Sequence, residues 1–326
     1  MRDLIDTALE ISVIGSFSSL GIRMRRALYG WQEPPPHALV ERTVVITGPT
    51  SGLGRQAAVQ LAALDARLVL IGRSHEKLVG LQSELAQRHG EDRFRVVVAD
   101  MSRLDSVREA AAAIADEEPR IDVLIDNAGA MFDERAETND GIEMTLAVLT
   151  VGPFVLLSGL LPRLRSTRGS RVIAVSSGGM YTQPLVLDDL NWRQRPYSGP
   201  RAYAHGKRAQ VMLAREWARR LGGTDPTVVS MHPGWADTPG LASSLPGFRG
   251  AMQPILRTPS EGVDTLIWLA TSSGIAGLAG GFVHDRRRRP FDRVPMTRVD
   301  AAQRRRLWRT LVEMARIEDP LPDRRG

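Results

Sequence analysis

From Arg42 onward, short runs of consecutive apolar residues alternate with stretches in which apolar positions recur every three or four residues. The runs predict buried strands, and the spaced stretches predict helices with one face turned inward. Strands are expected over 43–47, 67–71, 93–99, 121–126, 171–176 and 227–231, with a short last one at Phe282 and Val283. Helices are expected over 53–64, 143–164, 201–221 and 260–271. Apolar strands joined by helices make a parallel sheet covered on both faces, and right-handed crossovers make it doubly wound. Residues 42–290 thus read as a single α/β domain, followed by a helical tail over 291–326.

The first 41 residues follow a different rule. Ile5, Leu9, Val13, Phe17, Leu20, Met24 and Leu28 form one apolar stripe if the segment is helical, with Arg23, Arg25 and Arg26 near its end. Gly15 and Gly21 weaken that helix and divide it into shorter pieces, and Pro34-Pro35-Pro36 stops it. Two placements stay open. The stripe docks on the domain or on a second subunit, or residues 1–30 lie in a membrane interface with the arginines at the headgroups.

Composition narrows the class. Hydrophobic residues are 43% of 326, enough for a large core. Cysteine is absent, which excludes disulfides and cysteine-ligated zinc and fits a reducing, cytoplasmic setting. Lys and Arg exceed Asp and Glu by 43 to 37. No nucleic-acid-binding motif accompanies that excess, and Arg286–Arg289 reads as a solvated loop, so no nucleic-acid partner is expected.

The chemistry begins after the first strand, at Thr47-Gly48-Pro49-Thr50-Ser51-Gly52-Leu53-Gly54. A glycine-rich turn between a strand and a helix lets the backbone approach a pyrophosphate, and the helix start aims free N–H groups at it. The second strand ends in Gly72-Arg73-Ser74. An acid there would suit NAD(H); the permanent charge and planar fork of Arg73, assisted by Ser74, suit a 2′-phosphate and hence NADP(H). Residues 236–259, rich in Gly, Pro and Ser, follow the sixth strand and read as a lid over a substrate.

The glycine spacing resembles that of the short-chain dehydrogenase/reductase family, whose fold is Rossmann-like. Asp126-Asn127-Ala128-Gly129 is similar to its Asn-Asn-Ala-Gly motif, Ser176-Ser177 follows the fifth strand, Tyr203-Ala204-His205-Gly206-Lys207 matches Tyr-x-x-x-Lys, and Pro233-Gly234 with Thr238 matches its segment after strand six. A finer likeness, through Ser176–Met180, Asp189-Leu190 and Met231–Gly240, is to the dehydrogenase/reductase SDR family member 12 group. The resemblance implies an oxidoreductase acting on a small carbonyl or alcohol, with Ser177, Tyr203 and Lys207 catalytic. It also implies that Asp100, with Met101, meets the adenine, that Asn127, Ala128 and Gly129 lie along the cofactor, that Lys207 bonds the nicotinamide ribose, and that Thr238 meets the carboxamide. A homodimer through the Tyr203 helix is a further expectation of the family; a metal is not.

Tyr203 and Lys207 are four apart on a helix and share a face. A free phenol has a pKa of about 10, so the nearby ammonium is expected to pull it down. Ser177 would hold the reacting oxygen. Met180, Tyr181, Trp235 and the lid are expected to wall an apolar pocket.

One position breaks the pattern. Leu149 stands where the family has a catalytic asparagine. Pro153 is expected to bend the helix and free a carbonyl near Leu149, or Thr150 to supply a hydroxyl, and Leu149→Asn is expected to speed turnover. A cofactor-binding sensor or scaffold with weakened turnover stays open beside the enzyme.

Overall fold

The computed structural model describes residues 1–323, so the last three residues of the expected C-terminal tail lie outside the described residues. Eight strands form one sheet: β1 (Thr43–Thr47), β2 (Arg67–Gly72), β3 (Phe94–Val98), β4 (Val123–Asp126), β5 (Arg171–Val175), β6 (Thr227–His232), β7 (Phe282–His284) and β8 (Arg287–Arg289). Their order is β3-β2-β1-β4-β5-β6-β7-β8, parallel except for the last pair. Successive strand residues feed opposite faces. In β1, Val45 enters one core while Val44 and Ile46 enter the other.

Helices α4 (Gly52–Ala63), α5 (His75–His89) and α12 (Pro259–Thr271) cover one face through Leu61, Leu78 and Leu266. Helices α6 (Leu104–Glu117), α8 (Gly152–Ser166) and α9 (Gly199–Leu221) cover the other. Across α8 and α9 lies α13 (Ala301–Ala315), whose Trp308 meets Phe154 and Trp217 edge-on at centroid distances of 5.1 and 4.6 Å. Its start is fixed by a capping box between Asp300 and Gln303.

The helix expected over 143–164 is interrupted. A single turn, α7 (Met144–Leu146), runs into a π-turn over Ala147–Val151 before α8 begins. Pro153 has no N–H to offer the carbonyl of Leu149, and Gly152 packs so tightly that a Cβ there would stand 2.2 Å from the Met101 carbonyl.

Two expectations from the sequence are corrected. The N-terminal stripe divides at Ser12 and Ser18 rather than at its glycines, into α1 (Arg2–Ile11), α2 (Val13–Phe17) and α3 (Ser19–Tyr29). Leu9, Phe17 and Ile22 then turn into the domain, while Leu4, Ile11, Ile14 and Leu20 face outward. The arginine run is no solvated loop. Arg287–Arg289 make an edge strand, Arg286 pairs with Asp264 at 2.8 Å, and buried Arg289 pairs with Asp6 at 2.8 Å.

The same charges fasten the N-terminal helices. Asp285, fully buried, accepts from Arg25 Nη1 at 2.7 Å and from Arg257 Nη1 and Nη2 at 2.7 and 2.9 Å. Arg25 also reaches Asp6 and Glu10, and Arg257 donates to the carbonyls of Ser16, Phe17 and Ser18. Burying several charges is tolerable only because each finds opposite charge or carbonyl oxygen.

Candidate active site

The carboxyl ends of the parallel strands converge on one edge, where an open α/β sheet binds ligands. There the turn from β1 into α4 is built on close approaches. Gly48 and Gly52 have φ of +65° and +52°, and a Cβ on Gly54 would stand 2.1 Å from the Gly48 carbonyl. The turn is braced from β4: Asn127 Nδ2 donates to the carbonyls of Thr47 and Gly48 at 2.9 and 3.1 Å, and Thr47 Oγ1 accepts from the backbone of Asn127 and Ala128 at 3.0 and 2.9 Å. Thr50, Ser51 and Leu53 complete the loop, with Ser51 opening α4. Thr238, arriving from beyond β6, lies 3.4 Å from where a Gly52 Cβ would be. This cradle fits the pyrophosphate of a dinucleotide.

Arg73 stands exposed just past β2 and has no ion-pair partner among the described residues. Ser74 caps α5, accepting from Lys77 N at 3.4 Å. Beyond β3, Asp100 Oδ1 accepts from the backbone and hydroxyl of Ser102 at 2.9 and 2.7 Å, and Met101 is buried beside it.

Tyr203 and Lys207 sit on α9, facing the end of β5. Ser177 accepts from Gly179 N at 3.2 Å and stands beside Tyr203. Burial pushes the Tyr203 phenol up to about 12, and the neighbouring Ser177 hydroxyl opposes that push. Lys207 does not offset that push here. Its Nζ lies 5.8 Å from the Tyr203 ring centroid and spends its hydrogen bonds elsewhere, on the Val175 carbonyl at 2.6 Å and Gln210 Oε1 at 3.2 Å. Burial in turn pulls the Lys207 ammonium down to about 8, against the charge of Asp126.

Leu149 fills the space between Gly129 and Gly206, 3.4 and 3.1 Å from the Cβ positions those glycines lack. Neither expected substitute reaches the lysine: Thr150 donates to the Gly206 carbonyl at 3.4 Å, and the ammonium bonds neither Thr150 nor the Leu149 carbonyl.

The expected pocket walls are also revised. Met180 and Tyr181 belong to the core, with the Tyr181 hydroxyl donating to the Pro290 carbonyl at 2.7 Å. Trp235 stays half-buried and stacks edge-on with Phe248 at 5.2 Å, in the segment formed by α10 (Pro239–Ser244) and α11 (Pro246–Met252). Behind Trp235 stands Phe17, which periodicity marked as apolar without revealing its destination. Its ring lies 5.7 Å from that of Trp235 and 4.5 Å from that of His232, and its carbonyl accepts from Trp235 N at 2.8 Å. Gly178 makes room for it: a Cβ there would stand 2.8 Å from the Phe17 ring. Gly234, at φ +80°, likewise gives way to Arg257, which also donates to the Pro233 carbonyl at 3.2 Å.

A family model described as short chain dehydrogenase matches residues 42–246. The chain belongs to the short-chain dehydrogenase family. Among relatives of this short-chain dehydrogenase, bovine "Dehydrogenase/reductase SDR family member 12" is 35% identical over 280 residues, covering 84% of this chain and 86% of that one. A Streptomyces sp. (strain C5) protein, provisionally named daunorubicin C-13 ketoreductase DnrU, is 41% identical over 277 residues, or 84% and 92% of the two chains. A solved structure from Mycobacterium paratuberculosis is 31% identical, with a TM-score of 0.69 over 90% of this chain and 99% of that one.

Proposed function

We propose that this short-chain dehydrogenase is an NADP(H)-dependent carbonyl reductase, or the reverse alcohol dehydrogenase, acting on an apolar substrate. The observation that carries the reading is the placing of Tyr203 on α9 beside Ser177 at the end of β5, on the sheet edge that also holds the glycine cradle. A phenol kept protonated at neutral pH is a competent proton donor. It would deliver its proton to the substrate oxygen as negative charge develops there, with Ser177 orienting that oxygen. When bound, the nicotinamide supplies the hydride. Arg73 would hold the 2′-phosphate, Asp100 the adenine end, and Pro233, Gly234 and Thr238 the carboxamide end. Trp235 and Phe248 offer the substrate apolar surface, and the DnrU relative is named as a ketoreductase. NADPH oxidation measured against a panel of apolar aldehydes, ketones and quinones, with product analysis, tests this. Oxidation of none of them, with NADPH bound, favours the second reading: a cofactor-binding sensor, for which the buried Leu149 speaks.

The outward face of the N-terminal helices supports a peripheral membrane contact. Leu4, Ile11, Ile14 and Leu20 are 75, 77, 56 and 56% exposed. Pelleting with anionic vesicles, before and after changing Ile11 and Ile14 to Ser, tests it; equal pelleting would refute it.

A further inference from the structure

A buried ammonium has three N–H donors and needs acceptors for them. Leu149 stands where the family resemblance implies an asparagine, and the acceptors of Lys207 are the Val175 carbonyl and Gln210. Gln210, one turn further along α9, accepts from it at 3.2 Å, and Gln210 Nε2 donates to Asp126 Oδ2 at 2.5 Å. Lys207, Gln210 and Asp126 are all buried. Asp126 itself replaces the first asparagine of the family's Asn-Asn-Ala-Gly motif.

We propose that Asp126 and Gln210 are positioning residues for the reaction, holding Lys207 charged and in place where the family's asparagine is missing. The inference rests on Lys207 serving the reaction described above. The amide carries the argument. An ionised carboxylate only accepts, so Gln210 must turn its NH₂ toward Asp126 and leave its carbonyl for the ammonium. Protonated Asp126 can donate, which frees the amide to flip and sets N–H groups against the ammonium. The charges of Asp126 and Lys207 are therefore linked through one side chain. Burial supports the linkage from both ends: it pushes Asp126 up to about 6 and Lys207 down to about 8, each opposed by the other's charge. The surroundings from β4, β5, α8 and α9 bring no other charged group. They are Leu124, Leu149, Thr150, Ala174 and Leu213 around a cavity of about 30 Å³.

The chain makes the test direct, because Lys77 and Lys207 are its only lysines among 43 basic residues. Labelled with [ε-¹³C]lysine, the protein gives two titrating resonances, with exposed Lys77 as internal reference. In the wild type, Lys207 is expected to titrate well below Lys77 and to show a smaller inflection near the ionisation of Asp126. Asp126→Asn keeps the shape and removes the charge. It should lower the Lys207 midpoint by about one pH unit, a tenfold change in its protonation equilibrium, and Gln210→Leu should lower it too. The basic limb of kcat/KM should move down with it, a shift that a purely structural defect does not produce. A Lys207 midpoint unchanged in Asp126→Asn would overturn the proposal. So would a wild-type Lys207 that titrates with Lys77 in one step, which needs no variant to fold. A shifted midpoint without any substrate turnover would leave the linkage standing and sink the reductase reading instead.

Discussion

Asp285→Asn tests how the N-terminal helices are held. The substitution keeps the shape of the side chain but removes the charge that faces Arg25 and Arg257, both fully buried. Three charge-assisted hydrogen bonds, of 2.7, 2.7 and 2.9 Å, lose their acceptor strength. Breaking a buried ion pair on one side costs about 3–5 kcal/mol. Arg25 keeps Asp6 and Glu10, and Arg257 keeps four backbone carbonyls, so the low end applies: about 3 kcal/mol, or roughly two orders of magnitude in the folding equilibrium. Denaturant unfolding followed by tryptophan fluorescence reads the total, and limited proteolysis between Gly30 and Arg42 reads release of the helices. The effect depends on pH in a defined direction. Burial raises the Asp285 carboxyl, but His284 and the two guanidinium groups outweigh it and hold it far below the usual carboxylate range. A depressed pKa stabilises above the unfolded value of about 3.9 and is lost as the pH falls below it, so wild type and variant converge in acid. A loss below about 1 kcal/mol at neutral pH, with the linker still protected, would refute Asp285 as the group that holds the N-terminal helices.

Other outcomes follow from the same geometry. Arg73→Ala should weaken NADPH binding roughly 10- to 100-fold, the worth of a charge-assisted hydrogen bond, and leave NADH binding unchanged; equal losses for both in a fluorescence titration would remove Arg73 from the 2′-phosphate. Phe17→Ala empties the space beneath Gly178 and beside Trp235, costing about 3–5 kcal/mol of stability. In the folded variant, kcat/KM for the carbonyl substrate should fall more than NADPH affinity, and parallel losses would contradict Phe17 as the backing of Trp235. Light scattering should report one chain per particle, because α13 packs over α9, the helix through which the family resemblance implies a dimer; a dimer buried along α9 would contradict that.

The succession of strands and helices along the chain and the placing of the glycine turn were legible because strand runs and crossover helices are local patterns. Ser177, Tyr203 and Lys207 were legible because their motif spacings are short. What escaped depended on distant partners. Nothing local in Arg286–Arg289 distinguishes a solvated loop from an edge strand, since Asp6, which pairs with Arg289, is 283 residues away. The stripe from Ile5 to Leu28 was visible, but its division at Ser12 and Ser18 depends on capping and on the docking of Phe17. The direction of the Lys207 amine was invisible for a similar reason. Four-residue spacing puts Tyr203 and Lys207 on one face of α9, and the amine, 5.8 Å from the Tyr203 ring centroid, takes Val175 O and Gln210 as its acceptors. Gln210, three residues after Lys207, carried the only local hint.

On this account the Tyr203 phenol, protonated at neutral pH and standing beside Ser177, gives its proton to a carbonyl oxygen. Steady-state NADPH oxidation by Tyr203→Phe, across pH and beside a NADPH titration, tests it most directly. A fall in kcat of about 10²–10⁴-fold with unchanged NADPH affinity is predicted, the usual worth of a positioned general acid. Turnover within a few-fold of the wild type at every pH would contradict it.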